Sequence, residues 1–268
     1  FRNPEADYTN EQFMIDQTNG IADEVQKHIN MLYGQYAKVF LNTDKHRFQI
    51  KQEYVAKSGL WVAKKRYAQW VIYKEGKPTD KMDIKGMDVV RSSFPGDFKK
   101  IMKEVLWFIL KEKNKVETTD LIMDFKNKIS QSEVVNIMKN SGVKEISKYI
   151  KGRAMLTGYT KGTPVHVKSA INYNDLLTMN KITDIEPISD GEKVKWAYLV
   201  NNPYGFDSLA LRGYHDPVFI EEFVAKYIDR NKMFESDLKG KLDDFYAARG
   251  WDRLPTNNNA TKFFSFGK

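Results

Sequence analysis

The sequence has no cysteine. That excludes a disulfide framework and a thiolate metal site, and it fits a reducing compartment. Long apolar runs are also missing. The strongest is VLWFIL at 105–110, far short of the roughly 20 residues of a membrane span, so no membrane partner is expected. Histidine is scarce, and His28, His46, His166 and His215 show no metal-ligand spacing. There is no Gly-rich phosphate loop, no GxSxG elbow and no HExxH helix. No signal-peptide pattern opens the chain. It begins with Phe1 rather than Met, which reads as an excised or processed piece.

What is present is a folded composition. The 268 residues are 41% hydrophobic and 13% aromatic, far from a disordered chain, and enough for one large or two small domains. The net charge is +8, and it is unevenly spread. Residues 51–103 hold 13 Lys and Arg against 6 Asp and Glu, leaving the rest near neutral. A local basic concentration is the footprint of a polyanion partner, or else of a solvated face.

Hydrophobic periodicity outlines the elements. A helix is expected over 9–37, weakened by Gln17–Gly20. From His46 to Lys85 the signal is β: Phe48 and Ile50 alternate with polar residues, Trp61–Tyr73 reads as one strand, and KEGKPTD as a turn. SSFPGD marks a boundary. Helices follow, one with Phe98, Ile101, Met102, Val105 and Ile109 on one face, the next with Leu121, Ile122, Phe125 and Ile129. Residues 130–163 give no clear period. A helix is expected after Pro164, strands at Ile182–Ile188 and Val194–Val200, and a helix capped by Asp216 with Pro217 in its first turn. The last helix carries Phe234, Leu238, Leu242 and Phe245. Asp243 and Asp244 read as a solvated face, and the His215–Asp216 pair as a capping turn rather than a catalytic dyad.

Two stretches carry candidate chemistry. WVAKKRYAQW places Lys64, Lys65 and Arg66 in succession, followed by Tyr67. In a strand, Lys64 and Arg66 would share one face while Lys65 and Tyr67 take the other. Such charge suits phosphate neutralisation; the alternative is an edge strand guarded by lysine. IKGMDVVRSSFP offers Gly86 for close backbone approach, with Arg91, Ser92 and Ser93 as phosphate-oxygen donors; the same pattern would serve as a helix-capping turn. Glu53, beside the basic stretch, is ambiguous alone.

KKRYA at 64–68, KGMDVVRSSFP at 85–95 and the helical module after them together resemble family B DNA polymerases, in the style of the replicative enzymes of T-even-type tailed phages. KGTPVHVKSAINYN, NNPYGFDSLA and the apolar KFFSFG tail resemble later segments of the same family. The resemblance covers nearly the whole chain. It implies a soluble protein of the host cytoplasm that acts in DNA replication. Lys64, Lys65, Arg66 and Tyr67 would hold primer–template DNA near the primer terminus. Glu53 would lie near the metal site. Gly86, Arg91, Ser92 and Ser93 would line the duplex backbone, and His166 and Lys168 would add thumb contacts. Phe263, Phe264 and Phe266 would bind a sliding clamp, although Lys268 beyond them departs from the family pattern.

The family's S-L-Y-P-S, D-T-D-S and K-x-x-x-N-S-x-Y-G motifs are absent, and NNPYG is a decoy because Lys195 stands at the wrong spacing. The Mg2+ ligands would therefore belong to the remainder of the polymerase, in the same polypeptide or a separate chain. The fold expected is α+β: the end of a palm at 1–95, a mostly helical thumb with a small β insert at 96–255, and a tail at 256–268. The second reading is a non-enzymatic nucleic-acid-binding accessory subunit, the third a structural domain with a charged edge.

Overall fold

The structure is a computed structural model describing residues 9–48, 50–150 and 159–255. It is mixed α and β, as expected, and the described residues form two antiparallel three-stranded sheets among helices. The chain divides into two compact units, Phe1–Lys85 and Gly86–Lys268.

In the first unit, α1 runs unbroken over Glu11–Phe40. Asn10 caps it by accepting from the Phe13 N–H at 3.1 Å, and Lys38 sits in the last turn, complementing the helix dipole. Gln17–Gly20 does not interrupt it. Thr18 Oγ1 turns back onto the Met14 carbonyl at 2.7 Å, so its hydroxyl is satisfied inside the helix. The sheet is β1 (Tyr54–Ala63), β2 (Arg66–Lys74) and β3 (Lys77–Lys85), in that spatial order. Phe48 and Ile50 lie outside it and are exposed. Ile15 of α1 packs with Val55 and Ile72 in a small core flanked by Met14, Trp70 and Tyr73.

The expected single strand over Trp61–Tyr73 is instead a hairpin. Ala63 pairs with Arg66, so Lys64 and Lys65 are the turn. The face assignment for these two lysines therefore falls away: they project from a tip. The second hairpin turns at Glu75 and Gly76, both at positive φ (50° and 80°), which matches the handedness of the strand twist. Lys77–Asp80, read as part of that turn, already belongs to β3.

The second unit begins at Gly86. A short turn, Asp88–Val90, leads to α2 (Gly96–Leu110), whose buried face holds the expected Phe98, Ile101, Met102, Val105 and Ile109, with Leu106 and Leu110. A capping box between Asn114 and Glu117 starts α3 (Lys115–Lys128). The stretch without a clear period supplies α4 (Val134–Ile137), β4 (Lys139–Gly142) and α5 (Ile146–Ile150). After Pro164 comes α6 (Val165–Met179), then β5 (Lys193–Tyr198) and β6 (Ser208–Leu211), giving the sheet order β4–β5–β6. Asn172 of α6 donates to the Ser208 carbonyl at 2.8 Å, tying that helix to the sheet.

Three expectations fail here for clear reasons. Ile182–Ile188 is not a strand: the backbone of Ile188 is satisfied by the Asn174 side chain, which accepts at 2.7 Å and donates at 2.9 Å. Asp216 does not cap α7 (Val218–Tyr227), whose N-cap is Pro217. Its carboxylate accepts instead from the Arg212 and Gly213 N–H groups, at 2.9 and 2.7 Å, closing the preceding loop. The chain then runs through α8 (Arg230–Met233), a π-helical turn at Phe234–Lys239 and α9 (Gly240–Arg249), burying Phe234, Leu238, Leu242 and Phe245. Asp243 is not solvated as expected: it accepts from Lys239 Nζ at 2.7 Å and from the Leu254 N–H at 2.8 Å.

Candidate nucleic-acid interface

Lys64 and Lys65 form the tip of the β1–β2 hairpin. Both are exposed, and among the described residues neither has a carboxylate partner. Lys65 takes a left-handed φ of 63°, a conformation that costs an L-residue with a Cβ about 1 kcal/mol or more. Glycine or asparagine is the usual occupant, so a lysine there keeps its charge at the expense of backbone comfort.

Behind the tip, register assigns the faces. Ala68 and Ile72 of β2 are buried, and Ile72 faces the α1 side of the sheet. Tyr67 and Gln69 therefore point to the other side. Opposite them on β3 stand Lys85 and Asp83, so these four share one face. Tyr54 donates from its hydroxyl to Gln69 Oε1 at 2.5 Å. Burial, then the neighbouring Tyr67 and Asp83, push the Tyr54 hydroxyl up to about 12, so it remains a donor at physiological pH. Glu53 is exposed just before β1, on the rim of a groove of about 380 Å³ shared with Tyr54, Asp83 and Lys85.

In the second unit, Gly86 has φ 67°. Asp88 then accepts from Arg91 and from Lys241, both at 2.9 Å, so the Arg91 charge is partly committed. Ser92 and Ser93 form an exposed turn, and the Phe94 N–H donates to the Arg91 carbonyl at 3.3 Å. Asn140 of β4 holds that turn in place. Its backbone N–H and its side-chain Nδ2 both donate to the Ser93 carbonyl, at 3.2 and 3.4 Å. Between this turn and β5 lies an open groove of about 390 Å³.

His166 and Lys168 are two residues apart on α6 and diverge. Burial, then the positive charge of Lys139, push the His166 imidazole down, favouring its neutral form. Lys168 places its ammonium 5.2 Å from the Tyr159 ring centroid. The two do not converge on one contact point. Phe263, Phe264 and Phe266 lie outside the described residues. Among the described residues, no three His, Asp or Glu side chains come together as a metal site, and no helix is long and apolar enough to cross a membrane.

The sequence matches the family described as DNA polymerase family B over residues 11–200, from the start of α1 to just past β5. The chain belongs to this family. No curated protein matches it. Family B polymerases transfer nucleotides onto DNA, so DNA is the substrate class, and they generally use divalent metal ions. Among the described residues no group of three or more His, Asp or Glu side chains is placed to hold such an ion.

One set of groove residues escaped the sequence analysis. Lys193 and Lys195 of β5 line the space beside Ser92 and Ser93. The signal available was the alternation in KVKWAY, which places two lysines on one strand face. Their neighbourhood with a turn a hundred residues earlier exists only through the β4–β5 register.

Proposed function

We propose that this chain is the end of the palm plus the thumb of a replicative family B polymerase of the T-even phage type, and that its own work is to grip primer–template duplex. The observation that carries this reading is the lysine tip of the β1–β2 hairpin: two adjacent, exposed cations without carboxylate partners among the described residues, one held at left-handed φ. Lys64 and Lys65 would each neutralise a phosphate, with Arg66 and Tyr67 behind them. Arg91, Ser92 and Ser93 would serve the backbone from the second unit, and Phe263, Phe264 and Phe266 a sliding clamp. Glu53 would lie close to the metal site. The ligands of the Mg2+ ions would come from polypeptide carrying the absent D-T-D-S motif, so the chain alone extends no primer.

The test is titration of a dye-labelled primer–template duplex over a range of salt. Lys64→Ala and Lys65→Ala should each flatten the log–log salt slope by about one for every phosphate no longer neutralised. Unchanged affinity and slope in both variants would remove the grip reading.

A further inference from the structure

We propose that the groove between the Ser92–Ser93 turn and β5 seats the phosphodiester backbone of one DNA strand, with Lys193 and Lys195 as its cations and Gly142 as its open floor. The proposal rests on the duplex-grip reading and extends it to residues outside the family motifs.

Strand alternation forces the two lysines together. Val194 and Trp196 are buried on one face of β5, and Trp196 Nε1 donates to Ser141 Oγ at 3.0 Å. Lys193 and Lys195 must then occupy the other face. Their cross-strand partners on β4 are Gly142 and Asn140, which share that face. Alternate residues on a strand stand about 7 Å apart, so each lysine can meet a different phosphate.

The charge in the groove is unspent. Arg212, also on its wall, is bound to Glu192 at 3.0 Å, and that carboxylate is further occupied by Ser189. No described carboxylate pairs with Lys193 or Lys195. The opposite wall is prepared for an anion. The Ser93 carbonyl, which would repel a phosphate, accepts two bonds from Asn140, and the Ser92 carbonyl accepts from Lys99 Nζ at 3.5 Å. The two serine hydroxyls remain as donors.

Gly142 completes the site. A Cβ built there would meet no atom of the described residues within 4 Å. The position is open space, so a side chain would fill the groove without disturbing the fold.

The full chain is titrated with the same labelled duplex. Lys193→Ala/Lys195→Ala should lower the salt slope by about two and weaken binding on the order of tenfold or more at low salt. Gly142→Val should weaken binding several-fold at an unchanged melting temperature. Wild-type affinity and slope in both, alongside weakened Lys64 and Lys65 variants, would overturn the groove and leave the grip reading standing. Failure of the unaltered chain to bind duplex in a salt-dependent way would overturn both.

Discussion

Lys139 and Asp237 form an ion pair whose two ends see very different surroundings. The carboxylate side chain is 2% exposed and the lysine side chain 32%, with the ammonium also 5.0 Å from the Trp196 ring centroid. Asp237 sits in the π-helical turn, and its Oδ2 has no hydrogen-bond partner among the described residues. Burial pushes its carboxyl up, against the opposing pull of Lys139. The energetics of this pair should show when the cation goes. Lys139→Met leaves a buried charge without compensation and should cost about 2–3 kcal/mol at pH 7, below the full value for a buried pair because Lys139 is partly solvated. The sign with pH is fixed. A raised carboxyl favours the folded state below its unfolded value of 3.8 and loses that contribution as pH rises through the folded value. The deficit of the variant should therefore shrink on acidification, and Asp237→Asn added to it should restore stability at pH 7. Urea denaturation at pH 7 and 5 measures both effects.

The Lys65 turn separates stability from binding. Replacing Lys65 by Gly removes the left-handed penalty of about 1 kcal/mol, offset by the extra freedom of glycine in the unfolded chain, about 0.5–1 kcal/mol. The melting temperature should hold or rise while duplex affinity falls. Falling together, they would mean that the turn, not the charge, was being altered.

The long amphipathic helices were legible because a buried face leaves a 3.6-residue period: Phe98 to Ile109 on α2, and Phe234 to Phe245 in the last helical segment. The basic hairpin was not. Its turn holds no Gly, Asn, Asp or Pro, so WVAKKRYAQW reads as one continuous strand. Ile182–Ile188 misled in the opposite direction: its composition is β-like, yet the Ile182 N–H bonds back to the Leu177 carbonyl and the Ile188 backbone is held by the Asn174 side chain rather than by a neighbouring strand. Asp216 precedes a Pro-initiated helix as a cap would, yet bonds backward to Arg212 and Gly213. For the site, the motif residues could be named from sequence, but Lys193, Lys195 and Asn140 join the Ser92–Ser93 turn only through strand pairing, which local pattern does not encode.

His166 gives a pH signature of its own. Burial and the Lys139 charge hold its folded value below the ordinary 6.5. The unfolded chain then binds more protons between the two values, so stability is full above pH 6.5 and declines as pH falls toward the folded value. His166→Gln should lack this component. The stability difference between the two proteins, measured in urea at intervals from pH 8 to 5, should be constant above pH 7 and shift in favour of the variant below 6.5. A difference independent of pH would show that the imidazole titrates as it does in the unfolded chain.

Gly86 can be asked which of two properties matters at the head of its loop. Its φ of 67° penalises any residue with a Cβ, by about 1–2 kcal/mol for Ala but much less for Asn, which visits the left-handed region routinely. If Gly86 serves only the backbone conformation, Gly86→Ala should lower both stability and duplex binding, and Gly86→Asn should restore both. If DNA approaches the bare Cα, as its proposed place along the duplex backbone requires, Gly86→Asn should recover stability but not affinity, because a side chain now stands where the strand would lie. The latter is expected. Thermal melts set beside duplex titrations of the two variants decide it, and full recovery of affinity by Asn would reduce Gly86 to a turn residue.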